Sequence, residues 1–141
     1  MPSEDRHVFV YGTLCRGEQR DINRLNPRPR YIGEAFVPGT LYDLGTYPGI
    51  VLGGQNAVRG EVYRISAGLE SLLDEIEEVW PQPTGEYAKR EVQVQLKGIG
   101  HHDRDTRSMS CLIYEIAASH TEGKPVIEEG NWVQYMKRQM L

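Results

Sequence analysis

The amino-acid sequence predicts an α+β fold, a small mixed β-barrel with a few packed helices. Three observations carry that expectation. Strand-like apolar or alternating runs clearly outnumber helical stretches along the 141 residues. Those runs are not spaced as regular strand–helix–strand units, which argues against a doubly wound parallel sheet. The clearest helical periodicity is confined to one stretch in the middle of the chain and one at its end.

Taken in order, His7 to Tyr11 reads as a buried strand that Gly12 ends. Arg20 to Leu25 predicts a short helix, closed by the Pro27 and Pro29 pair. Tyr31 to Tyr42 is strand-like, with Pro38-Gly39 as a bend or bulge. The glycines and proline of LYDLGTYPGIVLGG predict turns around a short strand, Ile50 to Leu52. Val58 to Ile65 alternates as a further strand. Ser66 then stands as an N-cap before Leu69, Leu72, Leu73 and Ile76 at helical spacing. That helix stops before the proline-rich WPQPTGE. Tyr87 to Leu96 and Met109 to Ala117 form two more strands around the polar loop GIGHHDRDTRS. Asn131 caps a closing helix with Trp132, Tyr135, Met136 and Met140 along one side.

A chain of 141 residues reads as one domain, residues 1–141, able to bury roughly two thirds of its unfolded surface. Hydrophobic content of 39% and charged content of 26% fit a globular protein, neither disordered nor membrane-embedded. A net charge of −4 argues against a general nucleic-acid binder, because the basic residues between Arg16 and Arg30 are interrupted by Glu18 and Asp21. No apolar run approaches the roughly 20 residues of a membrane helix, and MPSEDRH lacks a secretory apolar core. Cys15 and Cys111 have neither metal nor redox spacing, so reduced thiols in a cytoplasmic protein are expected. The HHDRD run at 101–105 reads as a solvated loop rather than a metal site, and no metal is expected.

Two stretches carry candidate chemistry. In VFVYGTLCRGE, a buried strand runs directly into Gly12. A glycine at a strand's carboxyl end permits a sharp turn and lets a ligand approach the backbone closely. Successive N–H groups there can converge on an anion or a developing oxyanion. In LESLLDEIEEVW, the apolar positions define one stripe at about 100° per residue. Asp74 and Glu78 then project toward water, whereas Glu75 and Glu77 flank the stripe on opposite edges. A half-buried carboxylate there, raised in pKa by desolvation and acidic neighbours, would suit a general base. Periodicity does not choose between Glu75 and Glu77.

The combination is more specific than either part. YGTL after an amino-terminal strand, then GTLYDLGTYPG, RGEVY, LDEIEE and EYAKREVQV, resembles the γ-glutamylcyclotransferase-like superfamily, closest to its small γ-glutamylamine cyclotransferase branch. The likeness runs from Val8 to the GNW at Gly130 to Trp132. It implies a mixed α/β barrel whose pocket is bordered by the YGTL loop. It also implies that the catalytic glutamate of Leu73-Asp74-Glu75-Ile76-Glu77 is Glu77. The chain departs from the family's usual Glu-Gly at Glu77-Glu78, and from its Tyr-x-Arg at Tyr87-Ala88-Lys89.

The resemblance implies an enzyme that cyclises a γ-glutamyl group to 5-oxoproline and releases an amine. Glu77 would be its general acid/base, and the Gly12, Thr13 and Leu14 amides would hold the substrate's α-carboxylate or the oxyanion. Thr13 could add a hydroxyl donor, and the ring or hydroxyl of Tyr11 would line the pocket. Tyr47, Pro48 and Tyr114 are barrel-rim or strand residues that also stand as substrate contacts. Cys15, next to the motif, has no histidine placed by sequence to activate it. Two other readings share the fold: a catalytically silent ligand-binding module, and a γ-glutamyl hydrolase or amidase.

Overall fold

The structure is a computed structural model that describes residues 6–78, 84–97 and 107–139. In chain order its elements are β1 (Arg6–Val10), β2 (Arg30–Asp43), β3 (Pro48–Ile65), helix α1 (Ala67–Ile76), β4 (Tyr87–Leu96), β5 (Arg107–Ile116), β6 (Val126–Ile127) and helix α2 (Trp132–Gln139).

The near-continuous apolar sequence of β1 follows from burial on both of its faces. Phe9 points into the barrel with Val37, Val62 and Ile113. Val8 and Val10 point the other way, beneath α1, where they meet Leu69, Leu73 and Leu112. β1 pairs antiparallel with β3, with Val10 opposite Glu61, and parallel with β5, with Val8 opposite Leu112. β5 continues to β4, β4 to β2, and β2 pairs back onto β3, so five strands close into a mixed barrel. Closure leaves these strands no long open edge. β6 extends the far end of β2, with Ile127 opposite Leu41.

Ser66 caps α1 by accepting from the Leu69 N–H at 3.2 Å. Asn131 does the same for α2, accepting from the Gln134 N–H at 3.1 Å. Trp132 is fully buried in the barrel cluster, and Tyr135 and Met136 pack against it. Met140, Trp80 and the HHDRD run lie outside the described residues.

Two expectations change. The strands expected at Ile50–Leu52 and Val58–Ile65 belong to one long β3. Its pairing with β2 jumps from Ala57 opposite Pro38 to Leu52 opposite Gly39, so the exposed residues 53–56 form a bulge at the expected Pro38-Gly39 irregularity. The helix expected from Arg20 to Leu25 is only a 3-10 turn, Ile22–Arg24. Asp21 accepts from the Asn23 N–H at 2.9 Å and caps the turn there, which fixes its start late.

Candidate active site

The chain leaves β1 at Tyr11 and turns at once. The Cys15 N–H donates to the Gly12 carbonyl at 3.0 Å. The following segment folds back onto the turn, with the Arg20 N–H donating to Thr13 O and the Ile22 N–H to Leu14 O, each at 2.8 Å. Glu61 on β3 is a buried carboxylate that accepts from the Arg16 N–H at 2.9 Å and from the Tyr63 hydroxyl at 2.8 Å. These bonds pin the turn from below. The amides of Gly12, Thr13 and Leu14 make no hydrogen bond among the described residues, so they stand ready as donors.

Gly12 is required by packing. A Cβ at this position would lie 2.5 Å from Pro48 Cγ and 2.8 Å from Pro48 Cδ. Only a residue without a side chain lets the β2–β3 hairpin end close over the turn.

A cavity of about 390 Å³ opens between the turn, that hairpin end and the end of α1. Tyr11, Gly12, Thr13, Leu14, Tyr47, Pro48, Glu77 and Tyr114, all singled out from sequence, line this one cavity. Glu75 lines it too. Sequence reasoning missed Arg20, Glu86 and Tyr87 as lining residues.

The tyrosines act differently from one another. Tyr11 contributes its ring, because its hydroxyl donates to the Tyr114 carbonyl at 2.7 Å and accepts from the Ile50 N–H at 3.3 Å. Tyr87 donates to the Pro48 carbonyl at 2.8 Å, holding the hairpin end in place. Tyr47 donates to Glu86 at 2.6 Å. The Tyr114 hydroxyl donates to Asp74 at 2.7 Å.

Glu77 caps the carboxyl end of α1, its N–H donating to the Leu73 carbonyl at 2.9 Å. Burial pushes its carboxyl from the usual 4.5 up to about 7. The Arg20 cation opposes that rise, whereas Glu86 and Glu78 add to it. The group is therefore divided between acid and carboxylate near neutrality, as proton transfer in both directions requires.

Asp74 corrects the expectation that it faces water. It accepts from Tyr114 and from Lys89 Nζ at 3.0 Å, and its side chain is only 16% exposed. Helical periodicity measured against the apolar stripe did not include β4 and β5, whose polar groups reach this side of α1. Glu78 is exposed as expected, with φ of 57°.

Residues 8–134 match the family model described as gamma-glutamyl cyclotransferase, AIG2-like. A Vibrio cholerae protein provisionally assigned as a gamma-glutamylcyclotransferase is 39% identical over 80 residues, covering 51% of this chain and 62% of that protein. The gamma-L-glutamyl-butirosin B gamma-glutamyl cyclotransferase of Niallia circulans is 37% identical over 73 residues, covering 51% of this chain and 46% of that enzyme. These matches therefore span about half to three fifths of the curated relatives. The fold is shared with an AIG2-like protein from Mus musculus, at a TM-score of 0.71 and 24% identity over 89% of this chain and 87% of that one. By its match to the family model over residues 8–134, the chain belongs to the AIG2-like gamma-glutamyl cyclotransferase family.

Proposed function

We propose that this protein cyclises the γ-glutamyl group of a γ-glutamylamine to 5-oxoproline and releases the amine, with Glu77 as the proton carrier. The observation that carries the reading is the meeting of Glu77 with the Gly12–Leu14 turn across one small cavity.

The reaction is intramolecular. The substrate's α-nitrogen attacks its own γ-carbonyl carbon, a new C–N bond closes the five-membered ring, and the bond to the leaving nitrogen breaks. Holding nucleophile and electrophile in one molecule supplies several kcal/mol of the rate advantage, so no cofactor is called for. The remaining task is proton transfer. The α-ammonium of the substrate first loses one proton to solvent, which frees the lone pair that attacks. As the ring closes, Glu77 as carboxylate takes a second proton from the attacking nitrogen, and Glu77 as acid delivers it to the departing nitrogen. A neutral lactam nitrogen and a neutral amine result, and the amine takes up the solvent proton. The turn's free amides suit a carboxylate or the oxyanion that forms on the γ-carbonyl oxygen.

The acidic lining favours an amine as leaving group. Glu75, Glu78 and Glu86 line the cavity beside Glu77. They would attract a cationic amine and repel an amino-acid leaving group carrying its own carboxylate.

Glu77→Gln keeps the shape and removes the proton carrier. Release of 5-oxoproline from γ-glutamylamines, followed by mass spectrometry, should fall at least about a hundredfold, the range of a lost general base. Wild-type rates in this variant would overturn the assignment. A glutamate product from the wild type would identify a hydrolase instead.

A further inference from the structure

The cavity holds several carboxylates and a single cation among its described lining residues, Arg20. Arg20 is exposed, and its guanidinium makes no hydrogen bond or ion pair among the described residues. Two other arginines are engaged. Arg16 lies over the Tyr31 ring at 4.5 Å, and Arg59 pairs with Glu34 at 2.8 Å. Arg20's main chain, by contrast, is bonded to Thr13 at the centre of the anion-ready turn, at 2.8 Å.

We propose that Arg20 is a specificity-determining residue, its guanidinium joining the Gly12–Leu14 amides to receive the α-carboxylate of the γ-glutamyl group. The proposal rests on the cyclotransferase reading. Placement supports it, because cation and free amides belong to one folded-back segment and face one cavity. Chemistry supports it as well. A γ-glutamyl substrate presents an α-carboxylate to a cavity lined with like charge, and without a cation that group would be repelled. A guanidinium offers a planar fork that matches a carboxylate. The carboxylate also fixes the α-carbon, and with it the nitrogen that must attack.

The test compares a γ-glutamylamine having a free α-carboxylate with the same compound as its α-carboxamide, on wild type, Arg20→Gln and Arg20→Lys. Wild type should prefer the carboxylate. In Arg20→Gln, KM for the carboxylate substrate should rise about 10- to 100-fold, the effect of losing one charge-assisted contact. Compared above the acid limb of each pH profile, where Glu77 is ionised in every variant, turnover of the carboxamide should change little, so the preference collapses, and Arg20→Lys should restore part of it. Equal losses on both substrates, accompanied by a shifted acid limb of the pH profile, would mean that Arg20 acts only on Glu77 and would overturn the proposal. Calorimetric binding of 5-oxoproline and 5-oxoprolinamide keeps the two readings separable. Arg20-dependent preference for 5-oxoproline without turnover would retain the anion site and reject the cyclase. Turnover that is indifferent to Arg20 would do the reverse.

Discussion

Tyr114 donates its phenolic hydrogen bond to Asp74 at 2.7 Å, and Asp74 lies three residues before Glu77 on the same helix. This contact ties the last turn of α1 to β5, the barrel strand between β1 and β4. Lys89 on β4 reaches Asp74 at 3.0 Å and also bonds Glu70, while Arg6 on β1 reaches Glu70 at 3.2 Å. The helix is thus held by polar contacts from three strands besides its apolar stripe. Half-buried carboxylates without such partners would destabilise this face. The position of Glu77 follows from these anchors.

Tyr114→Phe removes the donor while keeping the ring. A hydrogen bond to a charged group is worth about 1.5–3 kcal/mol, and urea unfolding should report a loss in or just below that range. Since Glu77 rides on the same turn, kcat should fall roughly tenfold or more, in keeping with the cost of a misplaced catalytic group. A variant with reduced stability and unchanged kcat would show that the contact does not position Glu77.

Glu77 also predicts a pH dependence of stability. Its folded-state pKa, near 7, lies above the ordinary 4.5, so between those values the folded state binds the extra proton. Its stabilising contribution is complete below about pH 4.5 and is lost as pH rises through 7, a swing of about 3 kcal/mol if burial acts at full strength. Glu77→Gln carries no such group. Denaturation of the two proteins at pH 5 and pH 8 should show the variant gaining on wild type at the higher pH. Activity runs the opposite way, because the carboxylate is the reactive form, and kcat/KM should rise with an acid limb near pH 7. Parallel stability curves would remove the basis for a raised carboxyl.

Gly12→Ala places a methyl group where Pro48 already stands, 2.5 Å from its Cγ. Neither the proline ring nor the turn can yield without parting the hairpin end from the YGTL segment. Over-packing of this kind costs about 1–3 kcal/mol. KM for γ-glutamyl substrates should rise because the amide donors move. A variant matching wild type in both thermal midpoint and KM would show that the close approach is dispensable.

Sequence alone exposed much of this arrangement, and the reasons differ by element. The burial of β1 was legible because both faces are apolar, and α1 because Ser66 and the leucine spacing agree. The barrel's closure was legible only as a class. The pairing of β2 back onto β3 depends on a bulge that interrupts alternation, so two strands were expected where one exists. At the site, local chemistry offered the YGTL turn only as a candidate anion site, and family likeness both strengthened that reading and separated Glu77 from Glu75. Arg20, Glu86 and Tyr87 were not legible, since exposed charges and strand tyrosines carry no periodic signal of the cavity they line. Asp74 misled for a related reason: its partners, Tyr114 and Lys89, are distant in sequence.

Glu78 holds φ of 57° in the left-handed region, where a side chain is strained and glycine is at ease. The position follows the helix end, and its carbonyl accepts from the Thr84 N–H at 3.1 Å, so the conformation is set by the chain's exit from α1. The family's usual glycine at this point therefore has a backbone reason, and this chain carries strain in its place. The glutamate also places a negative charge beside Glu77, which helps to hold that carboxyl up. Glu78→Gly should relieve the strain and raise stability by about 1 kcal/mol. It should also lower the Glu77 pKa, moving the acid limb of kcat/KM to lower pH. Equilibrium unfolding and a pH–rate profile on the same variant test both halves. A destabilised variant would refute the strain, and an unmoved acid limb would refute the electrostatic coupling between these neighbouring carboxylates.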